Sequence, residues 1–480
     1  MIRGALLAAA ALAVAAAFTI ARPHHAAGPS LRDFEAYYAA GARWLHGGDP
    51  YSIEIWQNER NLPGVLAQRD EVLPFVGPPA TLPLFAMFAR FPYGAAAGVW
   101  RAVLFASLLA VIWLAAPLAN LRRSPLMLFA LAIAALGFGP VTSALALGQA
   151  ALPVALAILA AFTATGFTGK AFFAAIALAQ PNLALALAAG LRDRRNAIAV
   201  ILGAIAFAIV CLGVVGAPGI VNYIRALQEH GYAERFSAIQ LTPTAIVYGL
   251  GANEYTAALA GILVGLTGVI AWFWCARELR DRLMLFCATC ALVPFVAPFF
   301  HEHDLAIVFV PAVILVLRAS PAGLPVAMTG ALLCATNWLG LAQWPDAIVQ
   351  TVLLVAAFAL TLLAMRTELT RRSLEAVVVT LALIVTGGFA AHAHPMPVWP
   401  DAMAALGSSA LLTNVAAVWH AEQMTTGLFA RNTLWALLRC ASLAGCGLLV
   451  YTAMLGSKTL EAQQARLAGV HGAPETELAQ

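Results

Sequence analysis

Long apolar runs alternate with short polar clusters along this 480-residue chain. A helix needs about 20 apolar residues to cross the hydrocarbon core of a bilayer, and most of the runs approach that length. Because they are continuous rather than alternating, they predict membrane helices and not barrel strands. The predicted spans lie near residues 4–21, 96–118, 126–147, 150–166, 197–215, 255–275, 283–299, 305–318, 325–341, 347–365, 374–391 and 433–454.

Composition strengthens this interpretation. Hydrophobic residues make up 62% of the chain and charged residues only 10%, which is far from the composition of soluble domains. We therefore predict an all-α integral membrane protein with about 11–13 transmembrane helices. Residues 1–460 are expected to form one polytopic domain and residues 461–480 a polar tail. The net charge of +4 comes from scattered short clusters, so no nucleic-acid partner is expected.

The distribution of charge predicts the topology. Arg3 precedes the first apolar run and is expected to stay inside, so that Asp33 emerges outside. The run itself has the pattern of a signal peptide or of a first anchor, and an anchor is favoured because a polytopic chain needs that crossing. Residues 22–77 are then an external, lid-like loop. We expect it to hold one or two interfacial helices joined by a turn at Gly47-Gly48-Asp49-Pro50.

Two apolar stretches are predicted not to cross as single helices. Residues 79–92 are too short to span and are expected to be re-entrant or interfacial. Residues 170–191 are interrupted by Gln180-Pro181-Asn182, and both of their basic flanks are predicted to be cytoplasmic. Two half-helices meeting at the proline would satisfy both flanks, because a broken helix is tolerated where it lines a cavity.

Several polar groups are predicted to converge on the outer face of the apolar bundle. Ionisable groups near a membrane usually mark a functional site, and this arrangement suits an amphiphilic substrate. The alternative is structural: an interfacial helix with one wet face, or residues that cap helix ends. The candidates are Arg32, Asp33, Glu35, Tyr37 and Tyr38 in the first loop, then Gln149, Gln180, Asn182, His301, His303 and Asp304.

No cofactor is required by the sequence. The seven cysteines lie in or beside apolar runs, which argues against a disulfide framework. Cys287 and Cys290 form a CxxC without a second ligand pair, so a metal or redox role is not expected there. A divalent metal held by His301, His303 and Glu35 is conceivable, but the spacing does not demand it.

The ordered set of motifs resembles glycosyltransferase family 87, whose members are polyprenyl-phosphate-sugar-dependent enzymes of the GT-C superfamily. The resemblance covers about residues 30–310. It rests on Asp33-Phe34-Glu35-Ala36-Tyr37-Tyr38, Gly47-Gly48-Asp49-Pro50-Tyr51, Pro78-Pro79, Gly148-Gln149, Gln180-Pro181-Asn182 and Pro298-Phe299-Phe300-His301-Glu302-His303-Asp304-Leu305.

The resemblance implies a GT-C-type bundle that moves a hexose from a polyprenyl-phosphate carrier to an extracytoplasmic lipid or glycan acceptor, with inversion at the anomeric carbon. Mannose is a guess from the family. Asp33 matches the family's general base, and His301 matches a histidine that would assist the phosphate or position the acceptor. The remaining candidates would bind substrate. Many members carry a lysine where this chain has Gln180, so Arg32 or Arg43 could supply the missing charge.

The implied location is a bacterial inner membrane, with the site on the periplasmic side and membrane lipid around the bundle. Two rival functions remain open. A flippase or transporter of a lipid-linked sugar could use the same groove without breaking a bond. A non-catalytic scaffold for envelope assembly would be favoured if Asp33 faced lipid and no pocket.

Overall fold

The computed structural model describes residues 2–18, 31–60, 62, 73–366, 368–398 and 415–471. Those residues form 21 α-helices and four short 3-10 helices, with no strand among them, which confirms the all-α prediction. Part of the predicted lid-like loop and residues 472–480 of the predicted tail lie outside the described residues.

Six helical segments of the described chain are long and apolar enough to cross a membrane, which makes this a multi-pass membrane protein. They are α5 (Tyr93–Leu118), α11 (Arg194–Glu234), α13 (Glu254–Glu278), α18 (Ile348–Met365, extended by the 3-10 turn Pro345–Ala347), α19 (Arg371–Ala393) and α21 (Thr433–His471).

The other helices are shorter. Those in apolar sequence are α1 (Ile2–Phe18), α4 (Leu82–Phe88), α6 (Pro125–Leu136), α7 (Gly139–Leu147), α8 (Ala151–Thr163), α9 (Phe167–Ala177), α10 (Pro181–Ala184), α14 (Arg282–Val296), α15 (Phe309–Arg318) and α16 (Leu324–Ala335). Those in more polar sequence are α2 (Arg32–Leu45), α3 (Ile55–Arg60), α12 (Pro243–Gly249), α17 (Trp338–Gln343) and α20 (Val415–Thr426). The remaining 3-10 helices are Pro79–Thr81, Leu185–Gly190 and Glu302–Val308.

Fewer helices pass the length test than the sequence pattern suggested. The spans predicted near 150–166, 283–299 and 325–341 appear as α8, α14 and α16, with 13, 15 and 12 residues. At 1.5 Å per residue, helices of that length fall short of a bilayer core about 30 Å thick. The bundle therefore combines full-length spans with shorter apolar helices packed between them.

The single span predicted at 126–147 is instead two helices, α6 and α7, bent by 76°. Pro140 lies in the first turn of α7, where its missing N–H costs nothing, but it cannot continue a helix from α6. Gly137 ends α6 against α18, so closely that a Cβ there would lie 2.6 Å from the Leu354 carbonyl oxygen. The bend thus follows from sterics that an apolar pattern does not reveal.

From its polar residues, the sequence predicts that the span at 197–215 leads outward to a polar loop over residues 217–243, and this prediction is largely wrong. Helix α11 continues to Glu234 across a kink at Gly216, whose φ of 67° and ψ of 177° are non-helical. Pro218 follows the kink in what is effectively the first turn of a second segment, a position that tolerates proline. The Gly-Ala-Pro sequence marks a change of helix direction rather than the end of helical structure.

Other predictions are confirmed. The apolar stretch 170–191 is broken as expected, because α9 ends at Ala177 and α10 begins at Pro181. The first loop carries α2 and α3 on either side of the Gly47 turn. Helix α4 is too short to span. All seven cysteines are free thiols.

The described residues form four buried apolar clusters, of which two are large. The larger apolar cluster extends from Leu108 to Met454 and joins most helices of the bundle. A second cluster joins the first loop to α4 and α5 through Phe34, Phe85 and Trp100. Where α2 crosses α4, Gly41 allows the two backbones to touch, since a Cβ there would lie 2.3 Å from the Phe85 carbonyl carbon.

We expect Gly41→Ala to lower the Tm of the protein in nanodiscs. The added methyl group has no space at the α2–α4 contact, and overpacking of this kind costs about 1–3 kcal/mol. Gly94→Ala is the matched control, because a Cβ at Gly94 meets nothing within 4 Å. Equal Tm values for the two variants would contradict the close packing of α2 on α4.

Candidate active site

Helix α2 is anchored by Phe34, whose side chain is fully buried. It stacks on Trp100 with ring centroids 5.5 Å apart and contacts four further rings, those of Tyr38, Phe85, Phe88 and Tyr93. Such aromatic pairs contribute about 0.5–1.5 kcal/mol each beyond the area they bury. With Phe34 fixed in this cluster, the positions of Asp33 and Tyr37 on the same short helix are fixed as well.

The turn at Gly148 receives the beginning of α2. Gly148 has a φ of 79°, which favours glycine, and a Cβ there would lie only 2.8 Å from Cβ of Leu31. Trp100 donates a hydrogen bond from Nε1 to the Gly148 carbonyl oxygen over 2.7 Å. This explains the Gly148-Gln149 motif: the glycine permits contact with α2, and the next side chain then lies beside Asp33.

Gln149 links three of the motifs identified in the sequence. Its Nε2 donates to Oδ2 of Asp33 over 2.6 Å. Its Oε1 accepts from the hydroxyl of Tyr37 over 2.7 Å and from Nε2 of Gln180 over 3.3 Å. The first loop, the α7–α8 turn and the break between α9 and α10 therefore meet at one amide.

The carboxyl group of Asp33 has a pKa well above its usual value. Burial raises its pKa to about 6, although the hydrogen bond from Gln149 and the charges of His301 and Arg32 act in the opposite direction. The side chain still keeps partial exposure, so it remains accessible. Burial also raises the pKa of the Tyr37 hydroxyl, which remains a neutral hydrogen-bond donor.

A second polar group lies at the start of the 3-10 helix Glu302–Val308. Oδ2 of Asp304 accepts from the backbone N–H of His301 and from Nδ2 of Asn182, each over 3.0 Å. Burial raises the pKa of Asp304 to about 6 and lowers that of His303 well below its usual value. Asp304 thus caps its own helix, as the structural alternative suggested, while also fixing Asn182 at the helix break.

His301 is oriented by a residue that sequence reasoning missed, Glu234 at the end of α11. Nε2 of His301 lies 3.1 Å from Oε2 of Glu234, whose side chain is buried. Gln240 and the indole N–H of Trp419 also donate to the Glu234 carboxyl group. Burial alone would lower the pKa of His301, but the charge and hydrogen bond of Glu234, with the charges of Asp304 and Asp33, raise it above its usual range.

The wrong loop assignment hid Glu234. A residue in a polar external loop needs no special explanation, whereas a glutamate buried in a helix does. The available signal was the pair His230 and Glu234, which are four positions apart and therefore share one helix face. Nε2 of His230 lies 3.7 Å from Oε1 of Glu234.

Other predicted residues occupy different surroundings. Glu35 is fully buried, and two positions along a helix from Asp33 it points roughly 200° away. Tyr38 donates a hydrogen bond from its hydroxyl to the Phe91 carbonyl oxygen, so it docks α2 onto the α4–α5 connection.

Arg43 forms an ion pair with Glu54 over 2.6 Å, which makes it a poor substitute for the missing lysine. Arg32 is partly exposed and close enough to influence Asp33.

Three side chains lie close enough together to form a possible cation site. Ligand atoms of His301, His303 and Asp304 all lie within 4.8 Å of one another. The carboxylate in this group is Asp304 and not Glu35. However, one Asp304 oxygen and Nε2 of His301 are already engaged in the hydrogen bonds described above, so the group also functions as a satisfied helix-start network without a metal.

We expect Glu234→Gln to destabilise the protein by about 3 kcal/mol and to lower its Tm. The substitution keeps the volume but removes the charge that faces His301 in a buried site, where breaking a pair is costly. The matched control is Glu375→Gln, which removes an exposed pair with Arg371 that is worth at most about 1 kcal/mol. A Tm for Glu234→Gln as high as that of the control would show that Glu234 does not support the site.

Comparison with known proteins adds one match. No curated protein and no solved structure matches the chain. The model of glycosyltransferase family 87 matches residues 75–298, just under half of the chain. The matched region contains the Gly148-Gln149 turn, the helix break at Gln180-Pro181-Asn182 and Glu234, while Asp33 and His301 lie outside it. The match confirms the resemblance over residues 75–298 and supports a membrane glycosyltransferase.

Proposed function

We propose that this protein transfers a hexose from a polyprenyl-phosphate carrier to a lipid or glycan acceptor outside the cytoplasm. Three findings support the proposal: the family 87 match, the multi-pass bundle, and the hydrogen bonds that connect Asp33 through Gln149 to Gln180, and Asn182 through Asp304 to His301, on either side of Pro181. The last of these carries the argument. A carboxyl group that titrates near 6 and a histidine whose charge is stabilised are a base and a cation within one site.

Asp33 is the general base in this reaction. The acceptor hydroxyl gives its proton to the Asp33 carboxylate while its oxygen attacks the anomeric carbon of the hexose. The bond from that carbon to the phosphate oxygen breaks, and the polyprenyl phosphate leaves. Attack opposite the leaving group inverts the anomeric configuration. The hydrogen bond from Gln149 to Oδ2 orients the carboxylate and leaves its other oxygen for the acceptor.

His301 meets the charge that develops on the leaving phosphate. The donor phosphate carries one negative charge as a diester and gains a second as the sugar departs, so a nearby cation stabilises the transition state. Gln180 offers no charge in place of the family lysine, and Arg43 is engaged by Glu54. The imidazolium of His301, supported by Glu234, is the best-placed cation, with Arg32 as a second contributor. This reaction needs no metal.

The surroundings suit the sugar end of the donor, whereas the prenyl tail needs the bundle to open. The apolar gap between α5, α8, α14 and the helix that starts at Glu302 measures about 10 Å³ and is lined by side chains such as Leu108, Ile158 and Phe286, so a prenyl tail enters there only if these helices move apart. Oε1 of Gln180 is buried and has no hydrogen-bond partner among the described residues, so it can accept from a sugar hydroxyl. We place the protein in a bacterial inner membrane with this site on the periplasmic side, and mannose is the first hexose to test.

The direct test is release of free polyprenyl phosphate from synthetic polyprenyl-phosphate hexoses by the purified protein, with envelope lipids as acceptor. We expect wild type to release it and Asp33→Asn to lose about a hundredfold or more in rate, because the amide cannot take the proton. Asp346→Asn removes an exposed carboxylate paired with His392 and is the matched control.

Each outcome separates the candidate functions. Full activity of Asp33→Asn would overturn the role of Asp33. If wild type releases nothing but moves the lipid-linked sugar between leaflets of a vesicle, the protein is a transporter and not a transferase.

The rate of release should depend on pH in a bell shape. It is expected to rise through about pH 6 as Asp33 deprotonates, and to fall above the raised pKa of His301 as the imidazolium loses its proton. Asp304 also titrates near 6, so the acid limb reports the coupled carboxyl groups.

Glu234→Gln checks this assignment. Because Glu234 raises the pKa of His301, its neutralisation should move the alkaline limb to lower pH while the acid limb moves less. An alkaline limb that stays in place in a folded Glu234→Gln protein would contradict the role of His301 as a cation.

A further inference from the structure

A cluster of basic side chains lies at the end of the bundle away from the reaction site. This basic cluster consists of Lys170 in α9, Arg195 in α11 and Arg282 in α14. Arg195 is in the first turn of α11, whereas Glu234, which supports the reaction site, is the last residue of that helix. The sequence predicts that the end with the basic cluster is cytoplasmic. No step of the proposed reaction uses these three residues.

Each of the three belongs to a different helix, yet their charges act on one another. Nζ of Lys170 donates to Oδ1 of Asn196 over 2.5 Å, which ties α9 to the start of α11. Desolvation lowers the pKa of Lys170, and the charges of Arg282 and Arg195 lower it further. The guanidinium of Arg282 lies 6.0 Å from the centre of the Phe162 ring. Membrane orientation requires basic residues on one side but not their convergence, so the convergence indicates a place that favours an anion.

The protein supplies little negative charge to balance the cluster. Six arginines and three carboxylates lie in residues 192–195 and 277–282. Asp193 is the carboxylate that acts on Lys170, and its Oδ1 accepts from the backbone N–H of Asn196 over 2.9 Å. Asp281 accepts from the backbone N–H of Leu283 over 2.8 Å. These carboxylates therefore stabilise helix starts, and a net positive charge remains at the surface.

Exposed apolar side chains follow the cluster along both α9 and α11. They are Phe172, Ile176, Ile198 and Leu202. Each lies within about two turns of Lys170 or Arg195 on its own helix. A ligand with an anionic head and apolar chains can therefore contact the basic cluster and this apolar surface at once.

We propose that Lys170, Arg195 and Arg282 bind the phosphate headgroup of an anionic phospholipid whose acyl chains lie along α9 and α11. Guanidinium groups match the oxygens of a phosphate with paired N–H donors, and an ammonium adds a point charge. The bound lipid joins α9, α11 and α14 at one end of the bundle. It is a structural component of the membrane and not a substrate, so the proposal does not depend on the transferase function.

Lipid binding can be measured by native mass spectrometry of the full-length protein, with phosphatidylglycerol and phosphatidylcholine as probes. We expect wild type to retain phosphatidylglycerol in preference to phosphatidylcholine. Arg195→Gln/Arg282→Gln should weaken binding of the tightest phosphatidylglycerol about thirtyfold, because each basic group near an anionic lipid contributes about fivefold. The matched control is Arg371→Gln/Arg372→Gln, which removes the same charge from the exposed start of α19 and should bind as wild type does.

The outcomes test both the lipid and its place. Equal retention of the two lipids by wild type would overturn the proposal, and so would equal binding of phosphatidylglycerol by the two double variants. In phosphatidylcholine nanodiscs, a rise of Tm with inorganic phosphate as large as that produced by phosphatidylglycerol would show a site for soluble anions and overturn the lipid. If Arg195→Gln/Arg282→Gln does not fold, as judged by its Tm, Lys170→Gln decides: binding equal to that of the control would overturn the proposal.

Discussion

The site depends on the contact between the start of α2 and the turn at Gly148. Leu31 and Phe34 approach that turn so closely that no side chain larger than hydrogen fits at Gly148. Trp100 fixes both sides of the contact, since it stacks on Phe34 and donates to the Gly148 carbonyl oxygen. A loop helix is thereby held rigidly against the membrane bundle. Without this contact, Asp33 would have no defined position relative to His301.

The electrostatics follow from that geometry. Two carboxyl groups, Asp33 and Asp304, are brought into a poorly solvated site, and burial raises the pKa of each to about 6. His301, whose backbone N–H donates to Asp304, is held at its ring by a third carboxyl group, that of Glu234, and its pKa rises. The site thus combines a carboxyl group whose pKa is raised to about 6 with a histidine whose charged form is stabilised, using residues that are individually ordinary.

The sequence predicted the parts of this protein that depend on local signals. Continuous apolar runs gave a helical membrane bundle, and Gln180-Pro181-Asn182 gave the helix break, because proline acts on its own neighbours. The structure also brings Asp33, Tyr37, Gln149 and Gln180 together. The bend between α6 and α7 and the continuation of α11 past Gly216 were not predicted, since each depends on packing against distant helices. Glu234 was missed for the same reason.

The most direct measurement of the central claim is a structure of the protein with a polyprenyl phosphonate hexose that cannot react. We expect the phosphonate group to lie within hydrogen-bond distance of His301, and the anomeric carbon to lie between the phosphonate and Asp33. The prenyl chain should leave between α5, α8 and α14, which separate from one another beside the helix that starts at Glu302. A phosphonate bound away from His301, or a sugar on the far side of α2 from Asp33, would contradict the account.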